Sequence, residues 1–451
     1  MSQSEPTSIA DLENRVSTLL DLAKRAGATA ADASVFGSDQ ISVGRRMGQV
    51  ETLERADSSG VDLRVFVDGK IAQVSGSDLS DEGLARLSER AVGMAKFSPE
   101  DPFAQLAEPD QLVKDWPALE TCDPIEPTTE GLLEAAAAAE EAMLGVEGIT
   151  NSGGASAGWT KSSLVIATTN GFLGSVQATR QGLSVSGIAG QGADQKRDYD
   201  YAMAVFGEDL KAPHEIGLEA GRRSIRQLGA KPGATAQVPV IFEPRVAVRM
   251  LSLLLGAING ESVVRGTSLL ADHVGKPVIA DDLSVIEDPF KARGQGSRPF
   301  DGEGLPVQRR TLFDKGRLTT HLHNLATAKQ AGTASTGHAS RAGASIGVGF
   351  ANAWMEPSER SVEDMLSDAG EAFYVTSLMG QGANMITGDY SQGATGFWVR
   401  NGALAEPVES MTLGGKLQDM WMNMSVADDL TFFGGMGTPT VQMDGLTIAG
   451  V

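Results

Sequence analysis

Cysteine is almost missing from this 451-residue chain. Cys122 stands alone, so no intrachain disulfide forms and no thiolate cluster binds a metal. Its neighbours are prolines and acids with no histidine close by, an environment that raises a thiol pKa and argues against a nucleophile. Positive charge is short as well: 37 Lys and Arg face 58 Asp and Glu, a net charge of −21. Such a field repels a phosphate backbone, so nucleic acid is not expected as a partner. No apolar run approaches the roughly 20 residues of a membrane span, and no membrane partner is expected either. Residues Met1–Thr7 hold no basic stretch followed by an apolar one, and the expected location is cytoplasmic. Aromatics make up only 5%, whereas the 54 glycines point to many tight turns and hairpins.

What is present reads as an α+β fold in several units. An N-terminal helix–antiparallel sheet–helix domain covers 1–98. Its first helix spans 9–27, with Leu12, Val16, Leu19, Leu20 and Ala23 at helical spacing. Strand-like runs follow at Ala33–Phe36, Ile41–Arg45 and Val61–Val67. Asp68-Gly69 then signals a two-residue hairpin before Ile71–Val74 returns. A helix over Leu79–Lys96 closes the domain. Residues 99–127 are proline-rich and read as an extended connector. A middle β-rich α+β domain spans 128–230, opening on a helix at Thr129–Leu144 and closing on one at Pro213–Leu228. The C-terminal mixed α+β domain spans 231–451, with a short buried strand at Gln237–Phe242, a helix at Arg245–Ile258, and hairpins at Asp314-Lys315-Gly316 and Asn401-Gly402.

Five histidines bound the metal chemistry: His214, His273, His321, His323 and His338. His214-Glu215 follows Pro213 and reads as a helix start, where an acid favours the dipole. His321 and His323 are two apart, which on a strand places them on one face, and His338 follows in a loop. Together they are a candidate three-histidine site for an independent metalloenzyme; the plain alternative is a hairpin edge. A serine nucleophile is not expected, and Gly294-Gln-Gly-Ser297 lacks the lysine of a phosphate loop.

Two long C-terminal stretches carry a resemblance. They are Gly380–Gly402, containing Thr387-Gly-Asp389, and Pro439–Gly450. With Ser335-Thr-Gly-His-Ala-Ser-Arg341, they make the chain resemble the TldD/PmbA (TldE) family of bacterial metallopeptidases, in its PmbA/TldE-type branch. In the family's other branch a short strand leads into a zinc-binding His-Glu-x-x-x-His. Here that junction reads Phe242-Glu-Pro-Arg-Val-Ala247, so only Glu243 matches. The branch with zinc also has a cysteine near its last strand; the equivalent stretch here, Asp428–Thr438, has none.

The resemblance implies no catalytic residue, no metal and no cofactor in this chain. Zinc would sit in a TldD-like partner subunit, and the pair would cleave peptides or unfolded chains in a closed chamber. It implies a homodimer when the chain is alone. Thr336, Gly337, His338, Arg341, Thr387, Gly388 and Asp389 are the expected substrate- or partner-facing positions. Arg341 is suited to grip a carboxylate, although the same loop reads equally as a connector, and Asp389 as a turn cap. A different class of reading is a protein-binding regulator, of gyrase or of a toxin–antitoxin pair.

Overall fold

The computed structural model describes residues 8–380 and 382–450, the side chain of Ala193 excepted; Met1–Thr7 lies outside this range. From the N-terminus run α1 (Ile9–Ala26), β1 (Ala30–Arg46), β2 (Gln49–Val67), β3 (Lys70–Gly76) and α2 (Asp81–Phe97). After the connector come α3 (Thr129–Leu144), β4 (Ile149–Thr168), β5 (Leu173–Ala189), β6 (Lys196–Ala204) and α4 (Pro213–Arg226). The fold is α+β, as the sequence suggests.

These two segments share one sheet. Its order is β3-β2-β1-β4-β5-β6, and β1 pairs antiparallel with β4 from Asp32↔Thr168 to Arg45↔Ala155. Alternation along β1 decides which face is covered. Ala31, Ala33 and Val35 are buried under α1 and α2, and Ile41 and Val43 under α3 and α4. All four helices therefore lie on the same side. The opposite face carries Asp32, Ser34, Ser42 and Gly44 from the same strand. The β2–β3 turn has both central residues in the left-handed region, Asp68 at φ 49° and Gly69 at φ 77°, as the Asp-Gly pair demands. Met47-Gly48 makes the same turn between β1 and β2 with an unusual residue in the first place.

The remainder contains β7 (Lys231–Pro232), β8 (Val240–Phe242), α5 (Pro244–Ala257), α6 (Gly260–Val264), β9 (Val285–Asp288), β10 (Arg310–Asp314), β11 (Arg317–Leu318) and α7 (Leu325–Ala331). Then follow β12 (Ala339–Ala342), β13 (Ser345–Val348), β14 (Asn352–Met355), α8 (Val362–Ala369), β15 (Ala372–Met379), β16 (Asp389–Arg400), β17 (Ala403–Lys416) and α9 (Leu417–Met422). Short strands β18 (Met424–Val426), β19 (Thr431–Phe433), β20 (Met436–Thr438), β21 (Val441–Met443) and β22 (Thr447–Ala449) finish the chain. β8 lies mid-sheet between β21 and β15, so Val240, Ile241 and Phe242 are wholly buried. α5 buries Val246, Ala247, Met250, Leu251, Leu254 and Leu255, the three–four spacing of a helix with one apolar face. Ile166 of β4 and Phe172 of the β4–β5 turn meet Phe300, Leu305 and Leu325, which seats the C-terminal part on one end of the first sheet's open face.

Candidate functional site

The strand-to-helix junction at Glu243 opens on a cavity of about 420 Å³. Pro244 occupies the first helical position of α5, where its missing N–H costs nothing, and Glu243 precedes it in extended conformation. Three parts of the chain converge there: Glu243–Arg245 from the junction, Tyr201–Met203 from β6, and Thr431–Gly434 from the loop around β19. Arg223 and Tyr374 add to the polar wall, along with Lys211, Glu219 and Arg226.

Arg245 organises this corner. Its Nη1 and Nη2 donate to the two oxygens of Asp198, at 2.8 and 2.9 Å, and its Nε to Glu243. It also donates to the carbonyls of Tyr199 and Thr376 and lies over the Tyr199 ring, 5.3 Å from the centroid. Burial opposes its charge, but Asp198 and Glu243 outweigh burial and hold it protonated. Burial raises the Glu243 carboxyl, with Arg245 and Arg223 opposing. Burial likewise raises the Tyr201 and Tyr374 phenols. Sequence reasoning finds Glu243 but not Asp198 or Tyr201; the alternating Asp198-Tyr-Asp-Tyr201 on an edge strand is the available signal.

The donor set does not fit a zinc ion. Phe242 and Ala247 are fully buried apolar side chains in the core, and Glu243 is committed to Arg245. Residues 428–438 offer no thiolate. Among the described residues no three His, Cys, Asp or Glu converge as metal ligands.

The three-histidine candidate resolves into separate hydrogen bonds. His321 Nε2 faces the carbonyl of Leu270 at 3.0 Å, His323 Nδ1 faces Thr327 Oγ1 at 3.1 Å, and His338 Nε2 faces Glu287 Oε2 at 2.6 Å. The rings of His321 and His323 stand edge to face, 6.1 Å apart. Burial lowers the His321 pKa, and it pushes His323 down to about 4 with help from His321 and His338. Burial would raise the Glu287 carboxyl, but His338, the Ala351 amide and Arg298 together outweigh it and the net shift is downward. His214 is exposed in the first turn of α4, at the helix start its sequence suggests.

The Ser335–Arg341 loop is tied inward. Thr336 Oγ1 bridges the His323 amide and His338 Nδ1. Gly337 has φ 76°, and a Cβ there would sit 2.4 Å from the Pro306 carbonyl. The carboxylate opposite Arg341 is found within the chain: Nη2 lies 2.6 Å from Asp32 Oδ1, and Nε donates to the Gly302 carbonyl. Thr387, Gly388 and Asp389 lie at the start of β16. Thr387 Oγ1 donates to Asp389 Oδ2 at 2.5 Å, and Lys416 pairs with the same carboxylate. Gly388 packs so tightly on Gln418 that a Cβ would overlap it. Neither group lines the junction cavity. Gly154-Ala-Ser156-Ala-Gly158 does carry the spacing of a nucleophile elbow, contrary to the expectation that serine chemistry has no foothold. It lies inside strand β4 rather than on a strand-to-helix turn, with Ser156 Oγ 2.9 Å from Ser184 Oγ.

The architecture is that of a metallopeptidase family whose three sequence segments each match this chain. PmbA/TldA metallopeptidase domain 1 matches 31–95, the central domain 122–228 and the C-terminal domain 235–450. The chain belongs to the PmbA/TldD family. It is 35% identical to Metalloprotease PmbA of Escherichia coli O157:H7 over 441 residues, 97% of this chain and 96% of the relative. A homologue in Haemophilus influenzae is 34% identical over 98% of this chain and 96% of its own. The crystal structure of a candidate modulator of DNA gyrase from Bacteroides thetaiotaomicron superposes with a TM-score of 0.91 at 26% identity, covering 98% of this chain and 100% of that one. TldE from Thermococcus kodakarensis shares the fold with a TM-score of 0.87 at 20% identity, over 97% of this chain and 100% of its own. Among the described residues no helix is long and apolar enough to cross a membrane.

Proposed function

We propose that this chain is the zinc-free, TldE-type subunit of a cytoplasmic two-subunit peptidase. A homologous TldD-like subunit carries the zinc and the cleaving centre, and this chain completes the chamber and guides peptide or unfolded substrate into it. The observation that carries the reading is the junction itself. A buried strand still feeds α5 at the wall of a 420 Å³ cavity, but the flanking side chains are Phe242 and Ala247, which have no donor atoms. This junction supports the reading because its flanking positions offer no metal donor. The open end of the six-stranded sheet, floored by Ser42, Gly44, Ser156 and Gly158, supplies a wall against which extended chain can lie.

Co-purification with a TldD-like subunit, followed by peptide cleavage assays on each chain and on the mixture, tests this. Cleavage is expected from the mixture and not from this chain alone, with an interface of about 2,000 Å² or more. Alone, the chain is expected to form a two-fold homodimer. Hydrolysis by this chain by itself, or cleavage by the partner unaffected by its addition, contradicts the assignment. Two structural relatives are described as candidate modulators of DNA gyrase. A purely regulatory role predicts binding to such a target with no effect on peptide cleavage.

A further inference from the structure

A second hollow, of about 300 Å³, shares Arg245 with the junction cavity. Arg197, Arg249, Thr376, Ser377 and Thr395 line it. We infer that this hollow is a carboxylate site, and that it takes the C-terminal carboxylate of a peptide lying along the open face of the six-stranded sheet. The inference rests on the peptide-handling role proposed above and names how the substrate is held.

Charge is the first argument. Arg197 and Arg249 are exposed, and among the described residues neither has a carboxylate within 4 Å, in a chain of net charge −21. Asp198 is the one acid lining the hollow, and it is already consumed: both its oxygens accept from Arg245, and Oδ2 accepts from Gln227 as well. Two guanidiniums therefore remain uncompensated. Each is also held in place by a neutral acceptor. Arg197 Nε donates to Ser186 Oγ at 2.8 Å, and Arg249 Nη2 donates to the Gly380 carbonyl at 2.8 Å. The remaining N–H groups of both forks stay available, in the arrangement that carboxylates favour. The hydroxyls of Ser377 and Thr395 line the same space and make no hydrogen bond among the described residues.

Continuity is the second argument. Tyr199 borders this hollow and also two hollows of about 600 and 690 Å³ that run over the Gly- and Ser-lined sheet face. Its ring stacks on Tyr201, with centroids 6.0 Å apart, which extends an aromatic wall along β6. An extended peptide on that face reaches the arginines with its end. The smaller hollow suits one terminal residue with its carboxylate.

The test uses this chain alone, so its outcome is separate from that of the partner-dependent cleavage assay. An N-terminally labelled, uncharged decapeptide of Ala, Ser and Val is titrated by fluorescence anisotropy as the free acid and as the C-terminal amide. The free acid is expected to bind at least about tenfold more tightly, the range of one charge-assisted bond. Arg249→Gln and Arg197→Gln should each erase the difference, and Arg249→Lys should keep part of it, with unchanged melting temperatures. Equal binding of acid and amide overturns the inference, as does no binding of either. If an amide carrying one internal Glu binds as tightly as the free acid, the site reads side-chain carboxylates and the terminal assignment is wrong.

Discussion

Arg341 and Asp32 are 309 residues apart in sequence and 2.6 Å apart in space, Nη2 to Oδ1, with side-chain exposures of 7% and 1%. Asp32 is gripped from the other side by Arg64, whose Nε is 2.6 Å from Oδ2. Burial would raise the Asp32 carboxyl; Arg64 and Arg341 outweigh burial and lower it. Without Arg341, Asp32 keeps only Arg64, which also faces Glu303 at 3.8 Å, and a buried cluster that loses one of its cations is destabilised. Arg341→Met is therefore expected to cost about 3 kcal/mol of stability. Urea denaturation at pH 7 measures it, and a loss below about 1 kcal/mol would show the pair to be dispensable.

Glu303, whose Oε1 lies 3.8 Å from Arg64 Nη2, gives the same buried cluster a pH dependence. It is buried, and burial together with nearby Asp301 raises its pKa from 4.5 to about 7. A carboxyl whose folded pKa is raised contributes stability that is complete below its unfolded value and lost as pH rises through the folded one. Each pH step between those two values is worth roughly 1.4 kcal/mol, so between pH 4.5 and 7.5 the native protein should lose about 3 kcal/mol relative to Glu303→Gln. Parallel pH–stability curves for the two proteins would refute the assignment.

Glu140, on α3, locks the tip of the first hairpin. Its two carboxylate oxygens accept from the amides of Met47 and Gly48 at 2.8 and 3.1 Å, and Oε1 also accepts from Ser152 Oγ. Arg45 lies 3.3 Å away. Glu140→Ala should cost about 2–3 kcal/mol, since it strips several charge-assisted bonds at once. Hydrogen exchange at the Met47 and Gly48 amides should accelerate more than exchange at Val65, which lies under α1 and α2. Uniform acceleration would mean the loss is global.

Metal content separates the donor-set argument from the three-histidine alternative. Elemental analysis of the dialysed chain is expected to find well under one zinc per chain. His338→Ala should leave that value unchanged and cost stability, about 3 kcal/mol, because Glu287 loses a buried partner. A stoichiometric metal that disappears in His338→Ala or His321→Ala would reverse this conclusion.

Local signals carry well into the structure. The apolar spacing that predicts a helix over 9–27 gives α1 at Ile9–Ala26, and the Thr129–Leu144 helix agrees at both ends. Asp68-Gly69 and Asn401-Gly402 each make the turn their chemistry requires. Illegible are strand portions that bury little. Gln49–Ser59 is exposed along nearly its whole length, and over 149–162 the buried alternation rests on the small Ala155 and Ala157 with Trp159 as its one large residue, so the period of two by which strands are recognised is absent in the first and faint in the second. With those portions unread, the continuity of β1 with β4 stays hidden, and so does the single sheet. In sequence Arg341 is a cation awaiting a carboxylate; in the fold that carboxylate is Asp32 of the first strand. The candidate cavity needs the same long-range knowledge, because Tyr201, Glu243 and Phe433 meet only once all parts are folded.

The pairing of β1 with β4 also governs how the chain can be made. During synthesis the first helix, hairpin and second helix emerge long before residue 149, and until then β1 keeps one flank of backbone groups without its native neighbour. A bare strand flank is a template for wrong partners. The early segment must wait, through a proline-rich stretch of some 30 residues, for the strand that seals it. Cutting the chain between the first two family segments would strand that flank permanently, so residues 1–98 expressed by themselves would aggregate, while 1–230 would retain the sheet in full.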